Sequence, residues 1–286
     1  MTDVPPRRIV ELLDARTPFC LATVLVAGSA EVRPGQKLIV HLDGAAEGSL
    51  GGGALETAVR EAAGKQLLRE EVATLRVSPS GECLPARRSM RQVEHEPQAV
   101  EVSLEPMLPP PRLIIVGAGH IAVPLARLAK IVGFEVTVID DRARFASRDR
   151  FPEADEILVA PFQEAIAQQT ITPWTYLVLV TRGHEHDEAT LRRVVGSPAP
   201  YIGMIGSRRR VLLVFQRLTA AAVPDEFLDR IYAPIGLDIG ARWPEEIALA
   251  IMAEIVKVRR GGRAESLALR HRRAQNPPPY NGNADG

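Results

Sequence analysis

Apolar residues along this chain recur in two rhythms. Short unbroken runs such as Leu113–Val116 and Val136–Ile139 suit strands buried on both faces, whereas spaced apolar positions over ten or more residues suit amphipathic helices. After position 111 the two rhythms alternate. Strands are predicted at 112–116, 135–139, 156–159, 176–181 and 200–205, and helices at 121–132, 162–168, 186–195, 208–221 and 244–259. Such alternation predicts a parallel sheet, and right-handed crossovers cover it with helices on both faces. Ligands of such sheets sit beyond the carboxyl ends of the strands, which directs attention to the polar residues there.

The first part of the chain has a different pattern. A helix is predicted over Pro6–Ala15, strands over Cys20–Ala27 and Lys37–His41, and a hairpin turn at Asp43-Gly44. Gly51-Gly52-Gly53 then introduces a helix from Leu55 to Arg69, with strands at Val72–Val77 and Val100–Leu104. The stretch between those two strands is polar and irregular, and no element is assigned to it. Pro106 and the run Pro109-Pro110-Pro111 break helices and stiffen a linker. The expected organisation is therefore a small α+β domain over 1–105, a Rossmann-like doubly wound α/β domain over 106–262, and a tail over 263–286. The end of the tail, from Asn276, is too polar to hold a core.

Composition narrows the function classes. Thirty-five basic residues balance 35 acidic ones, so no global field draws in nucleic acid or an anionic membrane. Lys257, Arg259, Arg260, Arg263, Arg270, Arg272 and Arg273 concentrate near the C-terminus. They read first as a solvated helix end and only second as a docking patch. With two cysteines, Cys20 and Cys83, there is no disulfide framework. The N-terminal segment lacks the apolar stretch of a signal peptide, and no run is long enough to span a membrane. The expectation is a cytoplasmic protein, with homo-oligomerisation left open.

The strongest chemical signal is Gly117-Ala118-Gly119 between a strand and a helix, followed by Asp140 at the end of the next strand. Gly117 suits a tight turn, Gly119 lets a phosphate approach the backbone, and Ala122 permits close helix–sheet packing. Asp140 stands 23 positions after Gly117, near the separation of about 20 that places an acid on a ribose. His120, at the helix start, reads either as a donor to a phosphate or as a local helix-start residue.

Four further groups lie at strand ends or glycine turns. The segment Thr181 to Asp187 carries His184 and His186 with Glu185 and Asp187; a polar ligand-contact loop is favoured over a metal site, because helical spacing turns only some of these side chains the same way. Ser207 is a good N-cap for a helix opening on Arg208-Arg209-Arg210, and those arginines would also suit an anion. Asp238, between Gly236 and Gly240, either contacts ligand or caps amides. Gly52 and Gly53 can form a second anion-binding nest, which suggests a ligand held between two domains.

Together these segments resemble the XdhC/CoxI family of xanthine dehydrogenase accessory proteins. The resemblance is carried by LATVLVAGSAEVRPGQKLIV, GSLGGGALE, IIVGAGHIAVPLARLAKIVGFEVTVIDDR, RFPEADEI, TRGHEHDEATL, YIGMIGSRRR and APIGLDIGARWPEEIALAIMAEI, spanning most of residues 20–260. It implies a small N-terminal domain joined to a Rossmann domain that binds molybdenum cofactor, as molybdopterin or its dinucleotide. It further implies a molybdenum hydroxylase apoenzyme and a cysteine desulfurase as partners. A non-enzymatic cofactor chaperone is thus favoured, with an NAD-dependent oxidoreductase using His184 as acid–base group, or a purely docking protein, as alternatives. Two departures stand out: the family's cysteine after the triple glycine is Ala54 here, and Cys83 lacks the glycines that flank the family's second cysteine.

Overall fold

The computed structural model describes residues 4–28, 32–78, 80–85 and 99–268. The chain divides into two compact units, Met1–Pro109 and Pro110–Gly286. Residues 86–98 of the irregular stretch and 269–286 of the tail, with Arg270, Arg272 and Arg273, lie outside the described residues.

The first unit is an antiparallel sheet covered by a helix. Its elements are α1 (Pro6–Asp14), β1 (Phe19–Val26), β2 (Lys37–His41), β3 (Ala46–Gly48), α2 (Gly53–Arg69), β4 (Ala73–Val77), β5 (Cys83–Leu84) and β6 (Val100–Met107). The strand order is β3-β2-β1-β6-β4-β5, with each neighbouring pair antiparallel. The β2–β3 hairpin closes through Gly44 at φ 82°, a conformation that favours glycine. Leu55, Val59, Ala63 and Leu67 recur every fourth residue of α2 and bury one stripe against Cys20, Val40, Val102 and Leu104 of the sheet. Strand β6 runs past the predicted end at Leu104 as far as Met107. Beyond Leu104, where its pairing with β4 stops, only β1 flanks it, and an edge tolerates Pro106, which lacks an N–H.

The second unit is the parallel α/β domain. Its strands are β7 (Arg112–Val116), β8 (Glu135–Asp140), β9 (Glu156–Val159), β10 (Thr175–Leu179), β11 (Tyr201–Met204) and β12 (Ile231–Tyr232). All five neighbouring pairs are parallel, in the order β12-β11-β10-β7-β8-β9. Counted within this unit and read from the β9 edge, that is 3-2-1-4-5-6, the order of dinucleotide-binding sheets. Helices α3 (Ala122–Ile131) and α8 (Pro244–Arg260) cover one face. Helices α4 (Phe162–Ala167), α5 (His184–Arg193), α6 (Arg208–Ala220) and α7 (Asp225–Leu228) cover the other. Strand β7 shows why its sequence is unbroken in apolar character: Leu113 and Ile115 enter one core while Ile114 and Val116 enter the other. The order reverses between β7 and β10, and the crevice beyond their carboxyl ends is where such sheets hold ligands.

Within the first unit one buried charge pair invites a test. Arg76 on β4 lies directly across from Glu101 on β6, with Nε 3.2 Å from the carboxylate and side chains 8% and 12% exposed. Removing one partner strands the other charge away from water. Glu101→Ala is expected to lower unfolding free energy by about 3 kcal/mol, and the double replacement Arg76→Met with Glu101→Leu by less. Urea denaturation of the three proteins measures the difference.

Candidate functional site

The turn after β7 is built by two constraints. Gly117 sits at φ 105°, and its amide donates to the Ile139 carbonyl at 2.8 Å. A Cβ there would stand 2.6 Å from the Val180 carbonyl oxygen, so the β10 end leaves room only for glycine. Gly119 differs. A Cβ at Gly119 would meet no heavy atom within 4 Å, so protein packing does not require glycine there. Among the described residues, the amides of Gly119, His120 and Ile121 have no hydrogen-bond partner, and no side chain caps α3. His120 itself is exposed. The result is a set of open N–H groups at a helix start with free space in front of Gly119, which is the physical requirement for an anion site.

Asp140 is completely buried and holds this turn in place. Its Oδ2 accepts from the Ala118 amide at 2.8 Å and from Arg142 Nη2 at 2.9 Å. Its Oδ1 accepts from the Arg142 amide at 3.0 Å and from Arg142 Nε at 2.8 Å. Burial alone would raise its pKa, but the bonds from Arg142 and from the Ala118 and Arg142 amides outweigh that and hold it below the ordinary carboxylate value. Four donors occupy the carboxylate, so a ribose could use Asp140 only if Arg142 swung away. Asp141 is the acid left at the surface of the strand end, paired with Arg182 at 2.9 Å. Arg150 Nη1 reaches the Ala118 carbonyl at 2.6 Å and the Phe145 carbonyl at 2.9 Å. Arg142 lies over the Phe145 ring at 3.8 Å, which completes a cationic rim beside the turn.

The neighbouring loop after β10 is fastened by a buried network. Thr181 Oγ1 donates to Asp187 Oδ1 at 2.5 Å, and Arg210 from α6 donates to Asp187 Oδ2. Burial raises the Asp187 pKa despite the Thr181 hydrogen bond and the Arg210 charge. Asp187 therefore serves as a brace between α5 and α6. His184 is the first residue of α5; its side chain lies outside the described atoms. His186 packs its ring against Phe162 at 5.0 Å. Among the described residues no three of His, Cys, Asp and Glu converge into a metal-binding group.

The remaining candidates fall in other places. Ser207 caps α6, its hydroxyl accepting from the Arg210 amide at 3.3 Å. Asp238 is exposed in the loop before α8. That loop is anchored by a residue that no sequence motif singled out: Glu254 of α8 accepts from the Gly236 amide at 2.9 Å and from the Tyr201 hydroxyl at 2.6 Å. The available signal was a lone acid interrupting the apolar run Ile247–Ile255.

In the first unit, Gly52 and Gly53 both have positive φ in the turn that leads into α2. Its anion is internal. Glu56 Oε2 accepts from the amides of Leu50 at 2.9 Å and Gly52 at 3.1 Å, and from Ser49 Oγ at 2.9 Å. The chain's own carboxylate thus fills the position that the sequence offered to a ligand. Ala54 is exposed on the first turn of α2 beside Gly81, whose Cβ, were there one, would lie 2.7 Å from that of Ala54. Cys20 is buried in β1, where desolvation pushes its thiol up to about 12, and Cys83 is exposed on β5.

Comparison with known proteins agrees with this architecture. The XdhC Rossmann domain profile matches residues 113–255, and the profile of the XdhC and CoxI family matches residues 12–78. The chain belongs to the XdhC/CoxI family. It is 34% identical over 172 residues to a Bacillus subtilis protein named as a probable subunit of xanthine dehydrogenase, covering 60% of this chain and 50% of that protein. It is also 29% identical over 259 residues to the uncharacterized protein YqeB of Escherichia coli, covering 87% of this chain and 45% of that one. The chain thus spans about half the length of these curated relatives. A crystal structure described as a xanthine dehydrogenase from Bacillus halodurans superposes with a TM-score of 0.51 at 24% identity, covering 90% of this chain and 98% of that one, a likeness of fold. No helix among the described residues is long and apolar enough to cross a membrane.

Two tests separate structural from ligand-facing roles in this family's turn. Gly117→Ala is expected to cost roughly 2–4 kcal/mol through positive φ and the clash at the Val180 carbonyl. Gly119→Ala is expected to change stability by less than about 0.5 kcal/mol, because nothing opposes its methyl. Chemical denaturation reads both. Asp140 gives a pH signature. Its depressed pKa means that its stabilisation is complete above the unfolded value of about 3.9 and is lost as pH falls through the folded value. The stability difference between wild type and Asp140→Asn should therefore be widest at neutral pH and shrink below about pH 4 in thermal melts.

Proposed function

We propose that this chain binds the phosphorylated pterin of the molybdenum cofactor at the turn after β7 and assists its insertion into a molybdenum hydroxylase apoenzyme. The observation that carries the reading is Gly119: its missing side chain serves no packing need, and among the described residues the amides of Gly119, His120 and Ile121 have no partner. A phosphate there gains three donors and the positive end of α3. The rim of Arg142 and Arg150 adds positive potential beside it. The Bacillus subtilis relative, whose name places it in a xanthine dehydrogenase, supports a hydroxylase as partner.

The donor set also bears on how the cofactor is held. When bound, the cofactor carries molybdenum and its redox chemistry; this chain's part is to bind and orient. No cysteine occurs in the second unit, Cys20 is buried with a raised pKa, and position 54 is alanine. The second unit therefore offers the metal no soft thiolate of its own, and its grip falls on the phosphate. The nicotinamide reading uses the same turn and takes His184, whose side chain lies outside the described atoms, as its acid–base group. Asp140 and Asp187, the buried acids next to the turn, are bound to Arg142 and Arg210.

The test is co-elution. Purified chain is incubated separately with released molybdenum cofactor and with NAD, then passed over a sizing column. Pterin fluorescence after oxidation is expected in the protein fraction of wild type and absent from Gly119→Val. Retention of NAD with no pterin would overturn the reading.

A further inference from the structure

We infer that two copies of this chain pair through the outward face of α6 and the adjoining α7, each copy turned end for end against the other. This pairing goes beyond the phosphate reading and does not depend on the ligand at the glycine turn.

Helix α6 has two apolar stripes where a surface helix needs one. Val211, Val214 and Leu218 face the core. On the other side Leu212 is 62% exposed and Leu213 is 38% exposed. Leu212, Phe215 and Thr219 stand at i, i+3 and i+7 and so share a face. With Leu228 of α7 they line a groove of about 750 Å³ that has Asp225 and Asp229 in its walls. An exposed leucine beside an apolar groove supplies both halves of a packing contact, because the leucine of one copy meets the groove of the other.

The charges identify the occupant. Arg210 turns inward to Asp187, but Arg208 and Arg209 stay exposed in the first turn of α6, the positive end of the helix, where cations are unfavourable. Asp225, Glu226 and Asp229 are exposed on and beside α7. Among the described residues none of these five exposed side chains has an ion pair or a hydrogen bond. The strip therefore carries unpaired cations at one end, unpaired anions at the other and apolar surface between them. A partner of one sign would satisfy only half of it. A second copy laid antiparallel satisfies both halves. About a twofold axis at Gln216, Leu212 faces Ala220 of the other copy, and Arg208 faces position 224, next to Asp225. The chain's 35 basic and 35 acidic residues cancel, so no net repulsion opposes association.

Analytical ultracentrifugation of the full chain tests the pairing, with the folding of every variant checked by circular dichroism. Wild type is expected to show a monomer–dimer equilibrium between about 1 and about 100 µM. Leu212→Asp, the pair Arg208→Glu with Arg209→Glu, and the pair Asp225→Arg with Asp229→Arg are each expected to raise the dimer dissociation constant at least about tenfold. Mixed in equal amounts, the two charge-reversed proteins are expected to recover the wild-type constant as a heterodimer, because reversed ends then meet reversed ends and native ends meet native ends. A loss caused by local damage to either helix would not be repaired by mixing. Wild type that stays monomeric throughout the series, charge-reversed proteins that dimerise like wild type, or a mixture no tighter than its components would each overturn the assignment. So would a monomeric chain that binds a hydroxylase apoenzyme and loses that binding in Leu212→Asp, since the face would then belong to a different partner.

Discussion

The glycine turn of the second unit depends on a single buried carboxylate. Asp140 ends β8, and its oxygens hold the Ala118 amide in the adjacent turn and the guanidinium of Arg142 in the loop that follows. The glycine turn is thereby tied to a neighbouring strand by a charge-assisted bond in a dry environment, where such bonds are strong and their loss is costly. Gly117 completes the constraint by lying under the Val180 carbonyl. Ala118 is locked between these two contacts. The amides that follow it have no partner among the described residues, and a Cβ at Gly119 would meet nothing within 4 Å.

A second fastening works on the other side of β7. Thr181, Asp187 and Arg210 join the β10 end to the starts of α5 and α6 through one buried acid. Each acid is committed to one arginine, and those arginines are only partly exposed. This distribution separates two jobs that the sequence presents together. The acids at positions 140 and 187 fix geometry from inside the unit, while Asp141, one residue beyond the strand, meets solvent and pairs with Arg182. A rigid frame holds the amides between these two fastenings in fixed positions.

Much of the second unit was legible because both faces of its sheet are buried, which imposes continuous apolar runs such as Leu113–Val116 and Tyr176–Val180. Element order and the turn at Gly117 follow from that periodicity. The four-residue α7 and the two-residue β5 and β12 were not, since so short a segment sets up no repeat. The site was legible at the level of the turn and less so at the level of partners. Asp140 stands at the expected spacing, but spacing does not reveal that Arg142, two residues on, folds back on it. Glu254 was visible as an interruption in an apolar helix, yet its partners Tyr201 and Gly236 come from a strand and a loop brought near only by the fold. Ser207 was the easiest residue to place, because capping is decided within four positions.

The two glycine-rich helix starts show how an anion site differs from its look-alike. In α2 the N-cap is Gly52, and four residues later stands Glu56, whose carboxylate turns back onto the amides of Leu50 and Gly52. In α3 the N-cap is Ile121, and four residues later stands Leu125, fully buried in the core. Both segments present amides at a helix start, and both have glycines whose missing side chains leave space. What decides their state is one side chain a turn inside the helix: an acid there satisfies the amides from within the chain, while an apolar residue is drawn to the core and leaves them unmet. Unmet amides favour an external anion in proportion to how little else competes for them. The phosphate reading of the turn at Gly119 rests on that asymmetry, and in the first unit the same geometry places Glu56 on the amides of the triple glycine.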